Sequence, residues 1–147
     1  MRSLAVGADV IDANDHVSNL VYLRWMQDVA TEHSTAQGWP LERYVKDGAG
    51  WVVRSHSIEY LRPAFAGDAI SIFTWVADFS RSTSRRRYLF YRPRGEEILA
   101  KADTLWVFVN LRSGAPARIP ETLRSAFAVV PDEDEALQLA QTVGTAP

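Results

Sequence analysis

Apolar residues recur every three to four positions along the first third of the chain, and every second position from Trp51 onward. That change of period predicts one long helix followed by a sheet. Residues 17–37 carry the helical pattern. Tyr22, Trp25, Met26, Val29, Ala30 and His33 fall on one side; Arg24, Asp28, Thr31, Glu32 and Thr35 fall on the other, with Arg24 and Asp28 at ion-pair spacing. Val17, Leu20 and Val21 are apolar on the face that turns polar further along. The first turn therefore asks for burial on two sides, under a partner subunit or a ligand. Asp15 and Ser18 are both candidate N-caps, and Gly38, with Pro40 beyond it, ends the helix.

Four segments of period two follow, 51–61, 69–79, 82–92 and 98–110, joined by turns short enough for antiparallel neighbours. Ile70, Ile72 and Val76 share one face of the second segment, and Phe73, Trp75, Ala77 and Phe79 the other; Leu105, Val107 and Val109 alternate with Trp106 and Phe108. His56 is expected on one face with Val52, Ile58 and Tyr60, and His33 and His56 both read as core histidines. Residues 4–10 add a short edge strand, 40–46 one or two helical turns, and 120–127 a short helix begun by Pro120. The expected architecture is α+β, an antiparallel five-stranded sheet curled around one long helix. Apolar residues on both faces predict a homodimer or homotetramer. Residues 1–128 are expected to form the domain. The acidic tail 129–147, with only Ala136, Leu137, Leu139 and Ala140 to bury, is expected to be weakly ordered.

Composition narrows the chemistry. The chain of 147 residues contains no cysteine, which excludes a Cys nucleophile, a thiolate metal site and a disulfide scaffold, and suits a cytoplasmic setting. A net charge of −2 gives no electrostatic reason to expect nucleic acid or an acidic membrane. The N-terminus lacks the apolar core of a signal peptide, and no run reaches membrane-spanning length. Three scattered histidines make no metal-ligand cluster, and no G-x-S-x-G elbow supports a serine triad.

What remains is the polar turn of Asp12, Asn14, Asp15 and His16 ahead of the long helix. A helix N-terminus favours a nearby carboxylate, and its free N–H groups can hold an oxyanion. A carboxylate and an anion hole together suit acyl transfer. The run Asp12-Ala13-Asn14-Asp15-His16-Val17-Ser18-Asn19, followed by Tyr22 and Trp25, then Glu59-Tyr60, Pro63, Gly67-Asp68 and Ile119-Pro120, resembles the hotdog-fold acyl-CoA thioesterases of the 4-hydroxybenzoyl-CoA thioesterase type over residues 4–127.

The resemblance implies a hotdog fold and hydrolysis of an acyl-CoA, with coenzyme A present only as part of the substrate. It makes Asp12 the base or nucleophile and Asn19 the residue whose backbone N–H binds the thioester oxygen, with Gly50 near a second amide donor. His16 either bonds a catalytic group or substrate or packs locally in the turn. Tyr22 and Trp25 are candidates for an acyl pocket. Arg85 and Arg87, on one strand face of an arginine cluster with Arg86 pointing the other way, are candidates for the CoA phosphates. Two departures stand out: Asp15 where the family usually has Gly, read as a helix cap, and Ser18 in place of an Asn. The alternatives are a hotdog enoyl-CoA hydratase or dehydratase, whose D-x-N-P-x-H pattern is one residue longer and carries a proline absent here, and a non-catalytic acyl-CoA-binding module.

Overall fold

A computed structural model describes residues 2–145. Five strands, β1 (Arg2–Ala5), β2 (Ala49–Tyr60), β3 (Ala69–Phe79), β4 (Thr83–Arg92) and β5 (Glu97–Asn110), form one sheet in the order β1-β3-β4-β5-β2. Every neighbouring pair is antiparallel. The sheet wraps α1 (Asn19–Ala36), and α2 (Leu41–Asp47) and α3 (Glu121–Arg124) close one end of the groove. The periodic apolar side of α1 is the buried one, through Val21, Tyr22, Trp25, Met26, Val29 and Ala30. It packs on Ile70, Ile72, Tyr88, Phe90, Ala100 and Ala102 from the inner face of the sheet. Met26 is wholly buried, and burying a side chain of its size is worth roughly 1.5–3 kcal/mol.

Helix α1 begins at Asn19, two residues later than its periodicity suggests. Val17 is held outside it, bridged to Ile11 and donating its N–H to the Ala64 carbonyl at 2.9 Å. Gly38, at φ 88°, terminates the helix as expected, and its N–H returns to the Thr35 carbonyl. Strand β1 is shorter than predicted. Past Val6, which pairs with the Gly67–Asp68 turn, the chain leaves the sheet edge in a 3₁₀ turn over Ala8–Val10 and crosses to α1.

Two bulges change which residues face the helix. In β2 the register shifts between Val53 and Ser55, so Trp51 and Val53 before the bulge share the inner face with His56, Ile58 and Tyr60 after it. His56 thus sits on the face opposite Val52, and its Nδ1 is 2.8 Å from Thr104 Oγ1. In β3 the shift between Val76 and Asp78 brings Phe79 inward, opposite Ser84 and against Phe127, instead of outward with Phe73 and Trp75.

The outer face is covered in part by the tail. Where weak order was expected, residues Glu133–Thr145 form α4, and its Ala140 and Leu137 pack on Phe73, Leu89, Tyr91, Trp75 and Ile98. Asp132 caps this helix by accepting the Glu135 N–H at 3.0 Å, and Glu133, Asp134 and Glu135 lie in its positive first turn. Small residues suffice because the sheet supplies the large ones. Residues 146–147 of the tail lie outside the described residues. Among the described residues no helix is long and apolar enough to cross a membrane.

Candidate active site

The loop ahead of α1 is a small hairpin. Ile11 bridges Val17, Asp12 N–H donates to the His16 carbonyl at 2.8 Å, and Asp15 N–H to the Asp12 carbonyl at 3.1 Å. Asp12 Oδ1 accepts the N–H groups of Asn14 at 2.8 Å and His16 at 3.4 Å, which fixes the carboxylate in place. Its second oxygen has no hydrogen-bond partner among the described residues, and the residue is exposed.

The tip of the hairpin explains the departure at residue 15. Asp15 has φ 62°, the left-handed region that glycine adopts freely. It is not a helix cap. The N-cap position belongs to Ser18, whose side chain makes no capping bond. A β-branched side chain should be poorly tolerated at residue 15: Asp15→Val is expected to cost roughly 1–2 kcal/mol. Asp15→Gly should leave stability unchanged to within about 1 kcal/mol, because relief of the backbone offsets glycine's entropy. Urea unfolding of the two variants checks this, and equal stabilities would contradict it.

The first turn of α1 leaves the N–H groups of Asn19 and Leu20 without an intrahelical acceptor; Val21 N–H returns to the Ser18 carbonyl. Asp12 and Asn19 are both exposed, Asp12 near the tip of the hairpin opposite His16 and Asn19 just past its stem, where Ser18 N–H reaches back to the Val10 carbonyl. The His16 ring packs edge-on against Phe65, with centroids 5.3 Å apart, and its main chain holds the turn. Tyr22 and Trp25 are core residues at 2% and 8% exposure, stacked beneath the hairpin with Phe90 and Tyr60, so in a single chain they do not line an open pocket. Burial above all, and then Tyr60, pushes the Tyr22 hydroxyl up to about 12. The Tyr60 hydroxyl donates to the Asn19 carbonyl at 3.3 Å.

Gly50 lies at the far end of β2, where a Cβ would come within 3.3 Å of Leu111. At ~3.3 Å per residue the length of β2 separates Gly50 from Tyr60 by about 33 Å, so one chain does not bring Gly50 to Asp12. Arg85 and Arg87 share the outer face as the alternation implies, and each makes a bond within the chain through Nη1. Arg85 pairs with Asp103 at 2.7 Å, and Arg87 donates to the Pro131 carbonyl at 2.9 Å ahead of α4. Each guanidinium uses one nitrogen in these bonds and keeps further N–H groups on the outer face.

A second feature is not visible in the periodicity of the chain. The C-terminal half of α1, α2, the start of β2 and the inner face of the sheet enclose a cavity of about 270 Å³. Arg86 lines it and is 6% exposed. Its Nη1 lies 2.9 Å from His33 Nδ1 and donates to Thr74 Oγ1 at 3.0 Å. The only hint in the sequence is that Arg86 is in phase with the buried Ser84, Tyr88 and Phe90.

Burial first, and the Arg86 charge second, push His33 down from 6.5 to about 4. The unfolded chain then binds more protons than the folded one between pH about 6.5 and about 4. Stability conferred by neutral His33 is full above that window and is lost as the pH falls through it. His33→Gln, which keeps an acceptor for Arg86, should flatten this fall. Urea unfolding near pH 7 and near pH 5 measures it, and equal pH dependence in the two proteins would reject the role of His33.

Residues 6–127 match the thioesterase-like superfamily. An acyl-[acyl-carrier-protein] hydrolase from Cuphea viscosissima chloroplasts is 27% identical over 147 residues, covering 93% of this chain and 35% of that protein. The chain spans about a third of the length of this relative and of the palmitoyl-acyl carrier protein thioesterases from Cuphea hookeriana and Gossypium hirsutum that it also matches. A 1,4-dihydroxy-2-naphthoyl-CoA thioesterase from Synechocystis superposes with a TM-score of 0.78 at 18% identity, over 85% of this chain and 92% of that one. A hypothetical protein from Staphylococcus aureus in complex with CoA superposes with a TM-score of 0.79 at 14% identity, over 85% and 78%. These likenesses identify the sheet around α1 as the hotdog fold. The family match takes in α1, four of the five strands and the Asp12 hairpin, and the chain belongs to the thioesterase-like superfamily.

Proposed function

We propose that this protein is a thioester hydrolase acting on an acyl-CoA or acyl-carrier-protein substrate through Asp12. One observation carries the reading: an exposed carboxylate, fixed through a single oxygen, lies in the hairpin that leads directly into α1, whose first N–H groups, those of Asn19 and Leu20, have no intrahelical acceptor. The free oxygen attacks the thioester carbonyl, and the carbonyl oxygen takes the negative charge against those N–H groups. Collapse expels the thiolate and leaves a mixed anhydride. Water cleaves the anhydride to the free acid and restores Asp12. General-base activation of water by Asp12 gives the same products. No metal or cofactor is required; coenzyme A enters as the leaving group.

We infer that the working unit is a dimer joined through β2. This strand is one of the two sheet edges, and Val52, Tyr60 and Leu61 are exposed along it. Leu20, at the start of α1, is 75% exposed. Antiparallel two-fold pairing of β2 with its copy sets the Gly50 end of one chain beside the Asn19–Tyr60 end of the other. That arrangement gives Gly50 access to the partner's hairpin, as the resemblance requires.

The hydratase alternative needs a His ring presented beside Asp12, whereas the His16 ring rests on Phe65. A panel of acyl-CoA and acyl-carrier-protein thioesters, assayed by thiol release beside enoyl-CoA hydration, tests the reading. Thiol release without hydration is expected. Hydration alone would replace the proposal with the hydratase, and saturable binding with neither reaction would replace it with the binding module.

A further inference from the structure

The cavity around Arg86 holds a buried cation with no counter-ion. Among the described residues, no carboxylate lies within ion-pair distance of its guanidinium, although Arg85 and Arg92 on the same strand are both paired. The two N–H groups of Nη1 are used by His33 and Thr74. Thr74 Oγ1 in turn donates to the Arg87 carbonyl at 3.1 Å, so it can only accept from Arg86. Nε and Nη2 carry three further N–H groups and find no acceptor among the described residues, and neither is among the fully enclosed polar atoms without a partner. That free edge therefore borders the cavity. His33 adds no compensating charge, being neutral, and Phe127 faces the guanidinium at 5.9 Å only as a ring. A buried charge without a partner costs several kcal/mol, and guanidinium cannot escape the cost by losing its proton. The rest of the wall is mostly apolar and aromatic, chiefly Trp39, Trp51, Val76, Phe79 and Phe127, with the hydroxyl residues Thr31, Ser34 and Ser84 among them. The cavity opens beside Leu41 and Leu111, themselves exposed.

We propose that this cavity binds a molecule with an apolar body and a carboxylate, the carboxylate received by the Nε–Nη2 edge of Arg86 and the body by the aromatic wall. The paired donors match the two oxygens of a carboxylate in a bidentate fork. An alcohol or ester of equal length leaves part of that fork unmatched and buried, which penalises it. The volume, just below the usual range of about 300–1,000 Å³ for small-ligand pockets, suits a medium-length chain or a single ring rather than a long lipid. Two sources present this chemistry: a free carboxylic acid, or the distal carboxylate of an acyl group carried as a thioester.

Octanoate and 1-octanol, titrated against the intact protein by calorimetry and by fluorescence of the cavity tryptophans, separate the charge from the chain. Octanoate should bind at least about 10-fold more tightly than octanol, which is ~1.4 kcal/mol. Arg86→Met should remove that preference and leave octanol binding unchanged, and Arg86→Lys should keep part of it. Equal binding of octanoate and octanol by wild type, or no binding of either, overturns the proposal even if Arg86→Met does not fold.

The source is read from hydrolysis of suberyl-CoA and octanoyl-CoA, an arm that rests on the thioesterase reading. A distal carboxylate as the ligand predicts that Arg86→Met selectively lowers kcat/KM for suberyl-CoA. A free acid as the ligand predicts instead that octanoate inhibits wild type and that Arg86→Met relieves the inhibition. Absence of hydrolysis in every protein would sink the thioesterase reading and leave the binding result standing. Hydrolysis with neither an Arg86-dependent preference for suberyl-CoA nor an Arg86-dependent inhibition by octanoate would sink this proposal alone.

Discussion

Asp12→Asn should lower kcat for thioester hydrolysis by roughly 100-fold or more while KM stays within a few-fold of wild type. The substitution isolates charge from structure. Asp12 Oδ1 holds the hairpin by accepting the N–H groups of Asn14 and His16, and the amide oxygen of Asn accepts both equally well. What disappears is the nucleophilic or basic oxygen on the solvent side. Asp12→Ala removes the acceptor as well, so it should add a loss of stability that Asp12→Asn lacks. Steady-state kinetics with one good acyl thioester, alongside urea unfolding of both variants, separates the two contributions. Retention of most activity in Asp12→Asn would falsify the assignment and return Asp12 to a purely local role in the turn.

The parts of the fold legible in the sequence are those where one period runs unbroken. Tyr22, Trp25, Met26, Val29 and Ala30 are buried as their spacing demands. The strands are legible as elements, but the facing of some residues is not. A bulge inserts one residue without a side-chain signature, so every later position changes face. His56 and Phe79 depart from strict alternation for this reason, and both follow a register shift. The tail helix is hard to foresee because its own apolar content is low; its burial comes from Phe73, Leu89 and Tyr91, which lie far away in sequence. The same residues suggest a partner on the outer face, and part of that demand is met within the chain.

The site is legible where local chemistry defines it. Asp12, Asn19 and the helix start follow from the order of residues in one turn. Asp15 reads as a cap because sequence shows residue type and not φ, and only the backbone angle reveals why the related pattern has glycine there. The arginine cluster divides by strand alternation into an outer pair, engaged with Asp103 and Pro131, and an inner Arg86 whose surroundings come from α1, α2, β2, β3 and β5. No local pattern in the sequence carries that information.

Ile58→Pro should abolish the dimer and, with it, most of the activity. The direction of the N–H at residue 58 makes the test selective. Leu61 N–H points to β5, where it meets the Leu99 carbonyl at 2.8 Å. Successive residues of a strand send their N–H groups to opposite sides, so that of Ile58, three residues earlier, points away from β5 and toward the open edge. Proline at an outward-pointing position of an edge strand removes no ladder bond within the chain. It does remove a donor that a second β2 would need, and it places a ring in the partner's path. Far-UV circular dichroism should therefore remain close to wild type while sedimentation shifts to the monomer. If the Gly50 amide is supplied by the partner chain, its loss takes away an oxyanion donor, and kcat should fall by about 100-fold. A dimer that survives Ile58→Pro would move the interface away from β2. A folded monomer with full activity would mean that the hairpin of one chain is sufficient, and the role assigned to Gly50 would be withdrawn.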